Sequence, residues 1–301
     1  MKLGRYFSDF VATLLFLVAP FVGAQPLSNS GTGAHILIIA ALQDDPALIA
    51  MEEVLNAQNK SYKVLLATQD KLTDEVLFDA NGKGLYSAVI LTEGNLAFYD
   101  GSGWRSAFDQ QEWEKLWAYE KTYGARQVSL YTYPGAEPED YGLRMVQPVD
   151  TSVRAVSVSV TDKGKEIFGQ LAPFVVSGAY GYLSKLEPVI GVESTPLIAD
   201  ETDNIMAVYS SFEGRERIAL TMSQNRNAEH SRLLFPGLIS WLAASPGVTL
   251  TSEITSTRTL TLEYILFLVG LSILAILLSS WLIQRQRAKK QRRPQNSFYN
   301  F

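Results

Sequence analysis

With 301 residues, 47% of them hydrophobic and 19% charged, the chain can bury a core of ordinary size, and its net charge of −5 argues against nucleic acid as a partner. It contains no cysteine, which excludes disulfides, thiol nucleophiles and thiolate metal sites. Its two histidines, His35 and His230, lie far apart and no HExxH motif occurs, so neither a metal nor any other cofactor is expected.

At the N-terminus, Lys2 and Arg5 precede the apolar run "FVATLLFLVAPFVGA", and small residues precede Gln25. That order predicts a secretory signal peptide over residues 1–24, followed by a flexible linker over 25–33. "HILIIAAL" then reads as a strand buried on both faces, and "DDPALIAMEEVLNAQ" as a helix with proline near its start. "YKVLLAT" and "YSAVILTEG" supply a second and a third strand. Asp109 with Glu112 forms a capping box, and Phe108 with Trp113 a hydrophobic staple. Trp113, Leu116 and Trp117 fall on one helical face, and Gly124 sits where a left-handed C′ residue belongs. "RQVSLYTY" is the fourth strand, closed by the turn "YPG". "VRAVSVSVT" is a further strand, "DKGKEIFGQL" a short helix, and Val189–Asn225 a set of strands joined by tight turns. The amphipathic helix "EHSRLLFPGLISWLAAS" ends the domain before Pro246.

Strands alternating with helices predict an α/β fold over residues 34–245. The expected architecture has three layers around a mostly parallel sheet, flavodoxin-like or class I glutamine amidotransferase-like. A Thr-rich stalk over 246–263 leads into Tyr264–Ile283, about 20 residues without a charge, the length of a transmembrane helix. Six cations follow in the tail over 284–301, which is expected to be cytoplasmic, so the chain reads as a single-pass type I membrane protein. Its N-terminal domain would lie outside the cytoplasm, extracellular or periplasmic. Without Lys2, Arg5, Asp9 and the tail cations, that exported part carries a net charge of about −12.

In an open parallel sheet, ligands bind outside the carboxyl ends of the strands. Those ends carry Asp44 after the first strand, Glu93 and Asn95 after the third, Tyr131 and Tyr133 after the fourth, and Gln224 and Asn225 after the last. Carboxylates, amides and aromatic rings on one rim suit a sugar, with Trp104 as a further stacking residue. Each residue alone reads better as a cap or a turn closure, and it is the set that points to a ligand. No residue is assigned a catalytic role: there is no G-x-S-x-G elbow, the amidotransferase cysteine is missing, and Asp44 with Glu93 does not amount to a glycosidase motif.

"AFDQQEWEKLWAYEKTYGARQVSLYTYPG", "TPLIADETDNIMAVYSSFEGRERIALTMSQN" and "LLFPGLISWL" together resemble the N-terminal carbohydrate-binding-module region of the fungal secreted polysaccharide deacetylases that act on galactosaminogalactan. The resemblance runs from about His35 to Ala244. It implies glycan binding, with the metal-dependent deacetylase domain lying outside this chain. The partner expected is a cell-surface or secreted polysaccharide, one rich in amino sugars given the acidic domain, with the membrane engaged through Tyr264–Ile283. Two alternatives stand beside it: a scaffold holding a separate polysaccharide-modifying enzyme, and a carboxylate-dependent glycan hydrolase.

Overall fold

A computed structural model describes residues 35–245. Its elements in chain order are β1 (Ile36–Ala40), α1 (Pro46–Ala57), β2 (Tyr62–Leu66), α2 (Asp74–Leu77), β3 (Ala88–Leu91), β4 (Ala97–Tyr99), β5 (Trp104–Ser106), α3 (Gln110–Tyr123) and β6 (Arg126–Ser129). They continue with β7 (Leu143–Asp150), β8 (Val156–Val160), α4 (Asp162–Phe168), β9 (Phe174–Val176), β10 (Tyr180–Leu186), β11 (Val192–Asp200), β12 (Ile205–Phe212), β13 (Arg215–Leu220) and α5 (Glu229–Ala243).

β1 is buried along its whole length and pairs in parallel with β2 on one side and β3 on the other. β3 pairs in parallel with β6, and β6 with β13, which completes a five-stranded parallel half. Its side chains alternate between two cores. Ile36 and Ile38 point into a cluster with α1, α4 and α5, whereas Leu37 and Ile39 point toward α2 and α3. α3 starts at the capping box of Asp109 and Glu112 and ends at Gly124 with φ 59°. The Phe108 and Trp113 rings meet at 5.3 Å, as a staple requires.

The sheet as a whole is mixed, which corrects the expectation of a mostly parallel flavodoxin-like or amidotransferase-like sheet. Beyond β13, β12, β11, β8 and β9 follow in antiparallel order, and β10 pairs antiparallel with both β12 and β7. The reason is connection length. A parallel neighbour needs a crossover of a dozen residues or more, whereas β12 and β13 are joined by Glu213 and Gly214 alone, at φ 50° and 82°. This antiparallel half is inserted in the chain between β6 and β13. One core nevertheless runs through both halves, because Val149, Val158 and Leu197 join the cluster that contains Ile38 and Leu238. α4 can fit between β11 and α5 because Gly164 has no side chain: a Cβ there would lie 2.1 Å from the Leu197 carbonyl oxygen.

The segments read as signal peptide, stalk, transmembrane helix Tyr264–Ile283 and basic tail lie outside the described residues. Among the described residues no helix is long and apolar enough to cross a membrane, so the fold class assigned from them contains no transmembrane helix.

Candidate functional site

The carboxyl ends of the parallel strands surround a cleft of about 580 Å³. Asp44, Glu93, Tyr131, Gln224 and Asn225 all line it, so five of the eight candidate residues meet at one place. Backbone bonds fix the rim: Gly94 N–H donates to the Tyr131 carbonyl at 2.7 Å, and Thr132 N–H to the Leu220 carbonyl at 2.7 Å. Gly94 must be small here, since a Cβ would lie 2.7 Å from Thr132 Oγ1.

The lining residues divide by what they already hold. Asp45 accepts from Ala47 N–H at 2.8 Å and caps α1. Gln224 is buried and already held in place: its amide donates to the Met222 carbonyl at 2.6 Å and its oxygen accepts from the Ser231 hydroxyl at 2.9 Å. Asn225 accepts from Asn227 N–H at 2.9 Å and closes a turn. Glu93 is different. Burial, reinforced by the nearby charge of Asp45, pushes its carboxyl up to about 7, against a single favourable backbone bond from Ala97. Thr92 Oγ1, Thr132 Oγ1 and Asn95 Oδ1 are also buried at this rim, with no hydrogen-bond partner among the described residues.

Beside the cleft stands an aromatic group that strand-end reasoning saw only in part. Tyr131 stacks on Tyr182 at 5.9 Å, and Tyr133 and Tyr180 meet Tyr182 edge-on at 5.2 and 5.6 Å. Tyr133 and Tyr180 remain about half exposed, at 51% and 47%. Tyr180 and Tyr182 belong to β10, whose start crosses the end of β13. Tyr182 N–H donates to the Thr221 carbonyl at 2.8 Å and Ser223 N–H to the Tyr180 carbonyl at 2.8 Å. Gly181 permits this approach, because a Cβ there would sit 2.9 Å from the Thr221 carbonyl oxygen. The "YGY" at 180–182 was the available signal, but only the pairing brings it to the rim. Trp104 lies apart from the cleft lining, on the β4–β5 hairpin, where it packs edge-on against Tyr99.

A second polar cluster occupies the other end of the sheet. Arg215 pairs with Glu120 and Glu139, and Glu139 also accepts from the Tyr141 hydroxyl at 2.9 Å and the Gln127 amide at 2.7 Å. Burial holds the Glu120 carboxyl high in spite of Arg215, whereas Arg215 and Arg217 together overcome the burial of Glu139 and hold it low. This network joins α3, β6 and β13, and its bonds are internally satisfied at Glu139. The histidines are structural. His35 bonds to Ser61 at 2.6 Å and stacks on Tyr86, and His230 bonds to the Ser223 carbonyl at 3.0 Å. Among the described residues no group of three or more potential ligands is placed to hold a metal ion.

The fold has relatives among solved structures. The crystal structure of Agd3, a carbohydrate deacetylase, is 22% identical with a TM-score of 0.59, over 70% of this chain and 32% of that one. The chain therefore spans about a third of the length of that relative. A cold-adapted β-galactosidase from Rahnella sp. R3 is 14% identical with a TM-score of 0.46, over 69% of this chain and 31% of its own. A β-galactosidase from the Antarctic haloarchaeon Halorubrum lacusprofundi is 12% identical with a TM-score of 0.43, over 73% of this chain and 32% of its own. No curated protein sequence matches the chain. The model of one family, Agd3 CBM87, matches residues 32–182, half of the chain, and the chain belongs to that family of carbohydrate-binding modules.

Proposed function

We propose that the cleft between β1, β3, β6 and β13 holds a sugar unit of an amino-sugar polysaccharide, without catalysing a reaction on it. The observation that supports this is the juxtaposition of an aromatic platform, Tyr131, Tyr133, Tyr180 and Tyr182, with a partly buried carboxylate at Glu93. A pyranose presents an apolar face that packs on rings and hydroxyl or amino groups that bond to carboxylates and amides. The charge of the lining favours a neutral or cationic unit. Asp44, Asp45 and Glu93 line the cleft, and no lysine or arginine does. Arg226, the nearest cation in sequence, is engaged with Glu53 at 3.2 Å. A setting outside the cytoplasm belongs to the same proposal and rests on the leader-like sequence at residues 1–24.

Calorimetric titration of the full chain with acetylated and deacetylated hexosamine oligomers tests the reading. Saturable binding is expected. Glu93→Gln should weaken the deacetylated ligand about tenfold, the size of one charge-assisted hydrogen bond. Tyr133→Ala should weaken both ligands while the fold persists. Absence of heat with any oligomer, for a protein with an intact melting transition, would remove the cleft as a sugar site and leave the scaffold alternative.

A further inference from the structure

Trp104 is 74% exposed and Tyr99 59% exposed, yet they form an ordered cross-strand pair with ring centroids 5.9 Å apart. Isolated exposed apolar residues are ordinary, but two large rings side by side on a rigid support are not. The support is built from backbone and charge. Asp100 accepts from Ser102 N–H at 2.8 Å, from the Ser102 hydroxyl at 2.7 Å and from Gly103 N–H at 2.9 Å, and it pairs with Arg105. Phe98, the middle residue of β4, turns inward and packs against the core under α3. The hairpin is thus anchored by one ring and displays two others.

Its position relative to the cleft follows from strand geometry. Ala97 lines the cleft, and Tyr99 is two residues further along the same strand, so both point from the same face, about 6.8 Å apart. Trp104 lies directly opposite Tyr99 across the hairpin. The aromatic pair is therefore a continuation of the cleft wall, at a distance that an adjoining sugar unit can bridge.

We infer that the Tyr99–Trp104 pair is a second stacking subsite, and that the ligand is an extended chain of several sugars running from the tyrosine platform across Glu93 and out along the β4–β5 hairpin. This rests on the cleft being a sugar site. The preordered hairpin means that the second contact costs little further ordering, so affinity should climb with ligand length.

The test titrates the full chain and its Trp104→Ala and Tyr99→Ala variants with a hexosamine disaccharide and an octasaccharide of the same polymer, with a thermal melt of each variant as the check on folding. The octasaccharide is expected to bind the parent at least about tenfold more tightly than the disaccharide, and Trp104→Ala to abolish that advantage without changing disaccharide affinity. Tyr99→Ala should reduce the advantage in the same selective way. Equal affinity for both lengths would overturn the inference and leave the cleft reading intact, as would a length advantage untouched by either substitution. No binding of either ligand would end both. Trp104 is exposed on a surface hairpin, so its removal is not expected to unfold the domain.

Discussion

Burial of Glu93 beside Asp45 takes hydration from its carboxylate and adds repulsion, and one backbone bond does not compensate for either. The folded protein therefore keeps a proton that the unfolded chain, with an ordinary carboxylate near 4.5, releases earlier. Its contribution to stability is complete below pH 4.5 and is lost as the pH rises through about 7, by no more than about 3 kcal/mol after allowance for its residual exposure. Glu93→Gln should flatten the fall in melting temperature across that window and raise stability at neutral pH, while weakening sugar binding. Glu139 presents the opposite case: it is more deeply buried than Glu93 but fully bonded. Replacing it by glutamine would leave Arg215 and Arg217 short of a counter-charge and should cost about 3–5 kcal/mol by denaturant unfolding. Because that cluster lies at the far end of the sheet, the sugar titration of the refolded variant should be unchanged.

At the scale of elements, β10 decides whether the rim has an aromatic wall. Gly181→Val would place a branched side chain against the Thr221 carbonyl and Met222 Cα, where even a Cβ would lie at 2.9 and 3.1 Å. The expected result is a loss of about 1–3 kcal/mol in stability together with weaker sugar binding, as Tyr180 and Tyr182 are pushed from the cleft. The same strand shows what the sequence could and could not reveal. α3 was legible in full, because its cap, capping box and terminal glycine are local signals that act within a few residues. The parallel strand ends were legible too, since continuous apolar runs such as Ile36–Ala40 mark buried strands and the rim follows from their direction. β7 escaped because four consecutive exposed residues, Met145, Val146, Gln147 and Pro148, erase the alternation of an edge strand. β10 escaped because its tyrosines gain their meaning from pairing with residues some forty positions later, at Thr221 and Ser223. Direction of pairing was the other loss: an apolar strand reads alike whether its neighbour runs with it or against it.

For the whole molecule, the boundary of the family match and the boundary of the folded unit differ. The match ends at residue 182, but β13 lies in the middle of the sheet between β6 and β12, and α5 covers one face of the common core. A protein of residues 32–182 would lack both, leaving β6 as an open edge and stripping the α5 side chains Leu234, Phe235 and Leu238 from the core that holds Ile38 and Ile90. It is expected to aggregate or to melt without cooperativity, whereas residues 35–245 should unfold in a single transition by calorimetry. Synthesis meets the same arrangement as a delay. The ribosome delivers β6 long before β13, an interval on the order of ten seconds at about 5–20 residues per second. Through that wait the edge of β6 offers itself to any passing strand. Among the five parallel strands it carries the least greasy stretch beside β13, Arg126-Gln127-Val128-Ser129, and its polar side chains find Glu216 and Glu139 only once the nascent chain has folded back on itself. Charge on the waiting strand guards against premature partners, and the arrival of its own partner turns that guard into a lock.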